Sequence, residues 1–206
     1  PQHLSTIEAT GTPESIYLWG QQADFDDEQQ RAFEILAAKF VLEFMHDVDR
    51  SDGPGNTLSG HNRQEYNRCK HILTEMIGKP AKQDGQLIMF LTGPGGSGKS
   101  EVINQLLLYA QEYCSNIQYP FTSKTILVTA YSGVAATLIH GQTLHSATFL
   151  AKKKKNIDPD EKAKFQNSVR LLIVDEVSLM KPSDIKQLNE RVNYLMDRPT
   201  AKYGGV

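Results

Sequence analysis

Apolar residues recur along the chain in two patterns, and one of them predicts helices. Between residues 26 and 44 they repeat at three- and four-residue spacing, with Asp26 as the expected N-cap. The same spacing is found in residues 66–77, in 101–114 and in the segment that begins near Ser183. The sequence therefore predicts four amphipathic helices at these places.

The second pattern consists of unbroken apolar runs. They cover residues 87–91, 126–128 and 171–174. Such runs, alternating with helices, are typical of parallel strands that are covered on both faces. We therefore expect an α/β fold with a parallel sheet flanked by helices. Residues 1–24 show no clear period and are interpreted as an extended N-terminal arm.

Composition narrows the class of protein. No apolar run approaches the roughly 20 residues that cross a bilayer, and the first residues lack a signal-peptide pattern. The two cysteines, Cys69 and Cys114, provide no disulfide framework, which favours a reducing compartment. We therefore expect an intracellular protein without a membrane partner.

Charge is distributed unevenly along the chain. Residues 1–50 contain 3 Lys/Arg and 10 Asp/Glu, whereas residues 87–206 contain 14 Lys/Arg and 10 Asp/Glu. A polyanionic partner is therefore more plausible for the C-terminal part. The run of four lysines at 152–155 is interpreted as a solvated loop. Added affinity for DNA through counterion release, or a nuclear targeting signal, are its alternatives.

A glycine-rich segment separates the first apolar run from the helix that follows. It fits the pattern G-x-x-x-x-G-K-[ST] and consists of Gly93, Pro94, Gly95, Gly96, Ser97, Gly98, Lys99 and Ser100. Glycines let backbone N–H groups converge on phosphates, and the helix start adds its positive dipole end. Lys99 would reach the β and γ phosphates, and Ser100 would bind Mg²⁺. A flexible linker, the alternative, needs neither a strand before it nor a helix after it.

Two carboxylates follow the last apolar run, at the strand end where ligands bind in open α/β sheets. Asp175 would hold Mg²⁺, and Glu176 would orient and deprotonate an attacking water. Alone, this pair is also a common helix-start signal. Together with the phosphate loop it predicts a nucleoside-triphosphate hydrolase. Two alternative interpretations remain: a nucleotide kinase with the same loop, and a nucleotide-gated DNA-binding module without turnover.

Four segments carry a resemblance to a known family: FDDEQQRAF (25–33), GPGGSGKSEVI (93–103), TAYSGVAATLIHGQTLHS (129–146) and LLIVDEVSLM (171–180). They resemble the early motifs of the petite-integration-frequency (PIF) DNA helicases of superfamily 1B, which include helitron-type helicase domains. The resemblance covers roughly residues 25–206, with a weak stretch at 45–86. The third segment, in this order, is more specific than the phosphate loop.

The resemblance implies a P-loop, RecA-like fold and ATP-driven, 5′-to-3′ translocation on single-stranded DNA with Mg²⁺. It implies that Gln29 reads adenine. Gln29 is alternatively the capping-box partner of Asp26, and the two roles can coexist. The resemblance also implies DNA contacts by Thr129, Ser132, Gly133, Thr143, His145 and Ser146. His145 would stack on a base or bind a phosphate, unless it is an ordinary polar residue.

The resemblance also implies a domain organisation. Residues 1–24 would be an arm and 25–206 a partial RecA-like lobe 1A, with an irregular or helical insertion at 45–86. Family members continue with a strand ending in Gly-Asp…Gln and with a second RecA-like lobe. We therefore expect this chain to be an N-terminal fragment, weak or inactive alone, whose sheet lacks a central strand. Its compartment would be the nucleus or mitochondrion in a eukaryote, with roles in DNA repair, recombination and telomere maintenance.

Overall fold

The structure is a computed structural model that describes residues 12–51, 60–77 and 86–206. The chain divides into two compact units, Pro1–Phe121 and Thr122–Val206, which are described separately. Parts of the predicted arm and of the predicted insertion, namely residues 1–11, 52–59 and 78–85, lie outside the described residues.

The first unit contains four helices in its described part. They are α1 (Pro13–Gln22), α2 (Asp27–Ser51), α3 (Gly60–Ile77) and α4 (Lys99–Asn116). Helix α2 packs against the other three. Buried aromatic rings of these helices meet edge to face: Trp19 of α1 packs against Tyr109 of α4, and Phe33 of α2 packs against the same ring. The helices predicted over 26–44, 66–77 and 101–114 are confirmed.

Helix α1 corrects the interpretation of residues 1–24 as an extended arm. The side chain of Thr12 accepts the N–H of Ser15 at 3.2 Å and so caps the helix. Ile16 and Trp19 are buried on one face, and the indole N–H of Trp19 donates to Oε1 of Gln105 at 3.2 Å. The extended-arm prediction is therefore wrong for residues 13–22.

The expected strand at residues 87–91 is also absent. Residues 86–94 have no regular secondary structure, and Ile88 and Phe90 are 57% and 70% exposed. A strand exists only where a neighbouring strand supplies hydrogen-bond partners. No described strand pairs with this segment, so its apolar sequence alone does not make it part of a sheet.

The second unit is built on a three-stranded parallel sheet. Its strands are β1 (Ile126–Ala130), β2 (Gln142–Thr143) and β3 (Leu171–Asp175), in the order β2-β1-β3. Strand β1 is central and buried along its whole length. Ile126 lies opposite Leu171, and Ala130 lies opposite Asp175. The predicted strands at 126–128 and 171–174 are confirmed, whereas β2 was not expected.

Helices flank this sheet and pack against it to form the hydrophobic core. They are α5 (Gly133–Leu138), α6 (Leu144–Ala147), α7 (Pro159–Ser168) and α8 (Pro182–Leu195), and 3-10 turns cover Lys154–Asn156, Val177–Leu179 and Lys202–Gly205. The core combines residues of β1, α6, α7 and α8, among them Leu127, Leu144, Phe165 and Val192. The predicted α/β class and the helix near Ser183 are confirmed. None of the described helices has the length and apolar character needed to cross a membrane.

Candidate functional site

The phosphate loop of the first unit is a tight turn that requires glycine. The N–H of Ser97 donates to the carbonyl of Pro94 at 3.3 Å. Gly96 and Gly98 have φ values of 80° and 72°, a conformation that side chains disfavour. Gly98 is the N-cap of α4, and no side chain caps the helix there. Uncapped N–H groups at a helix start are suited to binding an anion.

The ammonium group of Lys99 is folded back over this loop. Its Nζ donates to the carbonyl oxygens of Gly93 and Pro94 at 2.8 and 2.9 Å, and to Oγ of Ser97 at 3.2 Å. These three partners match the three protons of an ammonium group. Ser100, the next residue, is exposed in the first turn of α4. A cationic group over a glycine-rich turn, beside an exposed hydroxyl, fits a polyphosphate.

Gln29 has two structural partners. Its Oε1 accepts the N–H of Asp26 at 3.1 Å, while Oδ1 of Asp26 accepts the N–H of Gln29 at 2.8 Å. This reciprocal pair confirms the capping-box alternative. The amide nitrogen of Gln29 also donates to the carbonyl of Ser97 at 3.2 Å, which connects α2 to the phosphate loop. The predicted adenine contact of Gln29 stays a prediction.

The two carboxylates of the second unit lie at the carboxyl end of β3. Asp175 is the last residue of the strand, and its Oδ1 accepts the N–H of Glu176 at 2.8 Å. Glu176 has a left-handed backbone with φ 56°, which is uncommon for a residue with a side chain. Its Oε2 accepts the hydroxyl proton of Ser132 at 2.9 Å. Sequence reasoning missed this bond, because Ser132 was assigned only to DNA contact.

The predicted DNA-facing residues differ in exposure. Thr129 is fully buried and its hydroxyl donates to the carbonyl of Ile173 at 2.7 Å, which leaves it no surface for DNA. The DNA-contact prediction for Thr129 is therefore not supported. Gly133, His145 and Ser146 are exposed. The ring of His145 lies 5.8 Å from that of Tyr131, in a tilted arrangement.

Hydroxyl groups of the segments predicted to contact DNA also cap two short helices. Oγ of Ser132 accepts the N–H of Ala135 at 3.1 Å at the start of α5. Oγ1 of Thr143 accepts the N–H of Ser146 at 3.3 Å at the start of α6. Both residues therefore have a capping role in the fold that is independent of any DNA contact.

A tyrosine and an aspartate next to these segments form a further bond that sequence reasoning missed. The hydroxyl of Tyr131 donates to Oδ2 of Asp184 at 2.8 Å. This hydrogen bond raises the pKa of Tyr131 and lowers the pKa of Asp184, whose carboxylate also accepts the backbone N–H of Lys181. The residues around positions 131 and 184 form no sequence pattern that would predict this bond.

The described part of the chain contains no cluster of ligands that could hold a metal ion without a nucleotide. No group of three or more His, Cys, Asp or Glu side chains there could hold a metal ion. Mg²⁺ in nucleotide sites is bound by few protein oxygens, with phosphate and water completing its shell. The hydroxyl of Ser100 and the carboxylate of Asp175 have the right chemistry for that. The lysine run at 152–155 is exposed, as expected for a solvated loop.

Comparison with known proteins gives consistent results. The sequence profile of the PIF1-like helicase family matches residues 66–206. "ATP-dependent DNA helicase PIF1" of Emericella nidulans is 30% identical over 145 residues, which are 66% of this chain and 18% of that protein. The protein of the same name from Candida albicans is 34% identical over 126 residues, 57% of this chain and 13% of its own length.

A viral protein is also similar. "Uncharacterized protein 030L" of Invertebrate iridescent virus 6 is 29% identical over 128 residues, 57% of this chain and 23% of that protein. The chain thus spans less than a quarter of the length of these relatives. No solved structure gives a significant match.

The fold agrees with the family. A three-stranded parallel sheet flanked by helices is what a partial RecA-like P-loop fold contains. The family profile covers the phosphate loop, the segment 129–146 and the carboxylate pair. The chain therefore belongs to the PIF1-like helicase family.

Proposed function

We propose that this chain is part of the first motor lobe of an ATP-dependent DNA helicase that moves 5′ to 3′ along single-stranded DNA. The observation that carries the proposal is the phosphate loop, in which Lys99 Nζ is bonded to the loop's own oxygens. Membership of the PIF1-like helicase family supports the choice of DNA as substrate.

In this proposal the loop and its neighbours bind ATP·Mg²⁺. Lys99 exchanges its contacts with the loop carbonyls for the β and γ phosphate oxygens, and the backbone N–H groups of the loop glycines donate to the same phosphates. Ser100 and Asp175 are each predicted from the sequence to supply an oxygen ligand that Mg²⁺ would take. Gln29, held next to the loop by its bond to Ser97, contacts adenine. ATP·Mg²⁺ supplies the transferable phosphoryl group.

Hydrolysis depends on Glu176. Its carboxylate is proposed to orient the attacking water and accept its proton while the water oxygen bonds to the γ phosphorus. The bond from that phosphorus to the β–γ bridging oxygen breaks, and ADP leaves with inorganic phosphate as the second product. Family members that couple this step to movement use a second RecA-like lobe, which we propose as the partner of this one. The lobe predicted from the sequence over residues 25–206, with an insertion at 45–86, is part of the same proposal.

DNA contact is assigned to Ser132, Gly133, Thr143, His145 and Ser146. Small and hydroxyl side chains let a phosphate backbone approach closely, and an imidazole can stack on a base. Intracellular location, in the nucleus or mitochondrion if the host is eukaryotic, and roles in repair, recombination or telomere maintenance belong to the proposal through the family alone.

Strand displacement by the protein at its full natural length tests the proposal. We expect ATP-dependent unwinding of a duplex with a 5′ single-stranded tail, no unwinding of the matching 3′-tailed duplex, and release of free phosphate. Transfer of the phosphoryl group to a nucleoside or nucleotide acceptor, without phosphate release, would instead support the kinase reading. DNA binding that responds to ATP but shows no turnover would support the nucleotide-gated module.

A further inference from the structure

We propose that Ser132 restrains Glu176 until DNA binds, so that one hydroxyl group couples DNA binding to ATP hydrolysis. The inference rests on the proposed function, because it concerns the regulation of the same ATP site. It is carried by the hydrogen bond from Oγ of Ser132 to Oε2 of Glu176, 2.9 Å long. Ser132 is thus a positioning residue that acts through Glu176.

The sheet brings the two residues together. Strands β1 and β3 are parallel neighbours and end at the same edge, with Ala130 opposite Asp175. Ser132 and Glu176 follow these strand ends by two residues and one residue. The bond from the hydroxyl of Thr129 to the carbonyl of Ile173, 2.7 Å long, joins the same strands nearby. The pair is therefore held by a buried part of the sheet.

The backbone of Glu176 indicates that its position is imposed. Its φ of 56° lies in the left-handed region, which residues with side chains adopt mainly where their surroundings hold them. Two contacts do so here: Oδ1 of Asp175 accepts the N–H of Glu176, and Ser132 donates to its carboxylate. Loss of the second contact frees the side chain without removing the first.

The hydroxyl of Ser132 has a single proton to donate. In this structure the hydroxyl donates its hydrogen bond to Glu176, while its oxygen accepts the N–H of Ala135 at 3.1 Å. A DNA phosphate can therefore accept a hydrogen bond from Ser132 only by displacing Glu176. The adjoining residues Gly133 and Val134 are exposed, so a DNA strand can approach this hydroxyl.

Displacement changes what Glu176 can do. While Oε2 is bonded to Ser132, that oxygen is committed and the side chain is fixed in direction. Once a DNA phosphate oxygen accepts the hydrogen bond from Ser132 instead, both carboxylate oxygens of Glu176 are available to orient water and accept its proton. The structure thus corresponds to a restrained state. DNA stimulates hydrolysis because its phosphate and Glu176 compete for the single hydrogen bond that the Ser132 hydroxyl can donate.

The test uses steady-state ATP hydrolysis by the full-length protein, with and without saturating single-stranded oligodeoxythymidine. For Ser132→Ala we expect DNA-free turnover to rise on the order of tenfold, the effect of losing one hydrogen bond to a charged group. Turnover at saturating DNA stays near that of the parent, so the stimulation ratio falls by the same factor. A merely structural role lowers both rates together.

Three further variants keep the test decisive. Ser132→Gly also removes the hydroxyl, but glycine is tolerated at helix N-caps, so it replaces the alanine variant if that one fails to fold. Ser132→Thr keeps the hydroxyl and should restore the parental ratio. Asp158→Ala removes the cap of α7, where Oδ1 accepts the N–H of Asp160 at 2.9 Å, and should leave the ratio unchanged.

The outcomes distinguish failure of the Ser132 restraint from failure of the proposed helicase function. If the parent shows DNA-stimulated turnover and both hydroxyl-free variants keep its stimulation ratio, or lose both rates in parallel, the restraint is refuted and the helicase proposal stands. If the parent hydrolyses no ATP with or without DNA, the proposed function fails and the restraint fails with it.

Discussion

At the scale of single residues, Lys99 is the most informative position. Within the described residues, its ammonium group donates hydrogen bonds to Gly93, Pro94 and Ser97 of its own loop, so Lys99→Ala should leave folding intact. Loss of hydrogen bonds to charged phosphates should weaken ATP binding at least tenfold, as on the order of 1.5–3 kcal/mol per bond implies. Titration with a fluorescent ATP analogue measures the change.

The matched control for Lys99 is Lys186→Ala, on the exposed face of α8. Lys186 is exposed, and its ammonium group lies 3.9 Å from Oε1 of Glu190. The Lys186→Ala variant should bind the ATP analogue as the parent does. Equal affinity of the parent and the Lys99 variant would contradict the assignment of the phosphate loop.

The bond between Tyr131 and Asp184 predicts a pH-dependent contribution to stability. Because the pKa of Asp184 is lowered, its contribution is present above the ordinary value of 3.8 and is lost as pH falls through the lowered pKa. Because the pKa of Tyr131 is raised, its contribution is present below the ordinary value of 10.0 and is lost as pH rises through the raised pKa. The bond should therefore stabilise the protein across the neutral range.

Thermal melts of Tyr131→Phe across pH measure this contribution. At neutral pH the variant should melt below the parent, and the difference should shrink in strong acid and in strong alkali. Tyr17→Phe, with its half-exposed side chain in α1, serves as the control. A difference in melting temperature that is constant across pH would show that the Tyr131 hydroxyl does not act through Asp184.

The site residues show what sequence can and cannot reveal at this scale. The phosphate loop, Asp175 and Glu176 were found because each has a fixed local pattern. The bond between Ser132 and Glu176 joins residues 44 positions apart and depends on the register of two strands. The buried state of Thr129 has the same origin, because burial is decided by β3 and not by the neighbours of Thr129 in sequence.

At the scale of elements, α1 provides a direct test of packing in the first unit. Trp19 is 2% exposed, meets the ring of Tyr109 at 5.4 Å and donates to Gln105. Trp19→Ala should lower the free energy of unfolding by about 3–5 kcal/mol. Urea denaturation followed by circular dichroism measures it.

The control for α1 lies on the other face of the same helix. Tyr17 is 51% exposed, so Tyr17→Ala should change stability far less than Trp19→Ala. Similar unfolding midpoints for the two variants would mean that α1 does not bury Trp19 in solution.

The two elements predicted wrongly fail for different physical reasons. Ile16, Tyr17, Leu18 and Trp19 form an unbroken apolar run, and half-exposed Tyr17 and Leu18 mask the helical period of Ile16 and Trp19. Residues 87–91 have the composition of a buried strand, but a strand also needs a neighbour, and none of the described strands pairs with them. Helices α2, α4 and α8 were predicted correctly because their signal is local.

At the scale of the whole molecule, the residues proposed to bind the ATP phosphates differ from the residue proposed to catalyse hydrolysis. The phosphate loop belongs to the first unit and the carboxylate pair to the second. Lys99 is assigned to binding and Glu176 to proton transfer. Changes at the two positions should therefore have different consequences for the full-length protein.

The most direct measurement is ATP binding and DNA-stimulated turnover of Glu176→Gln in the full-length protein. Glutamine keeps the size of the side chain but cannot accept the proton, so turnover should fall on the order of 100-fold or more while ATP binding stays near that of the parent. Turnover equal to that of the parent, or loss of ATP binding together with turnover, would contradict the assignment of Glu176 as the base of a helicase motor.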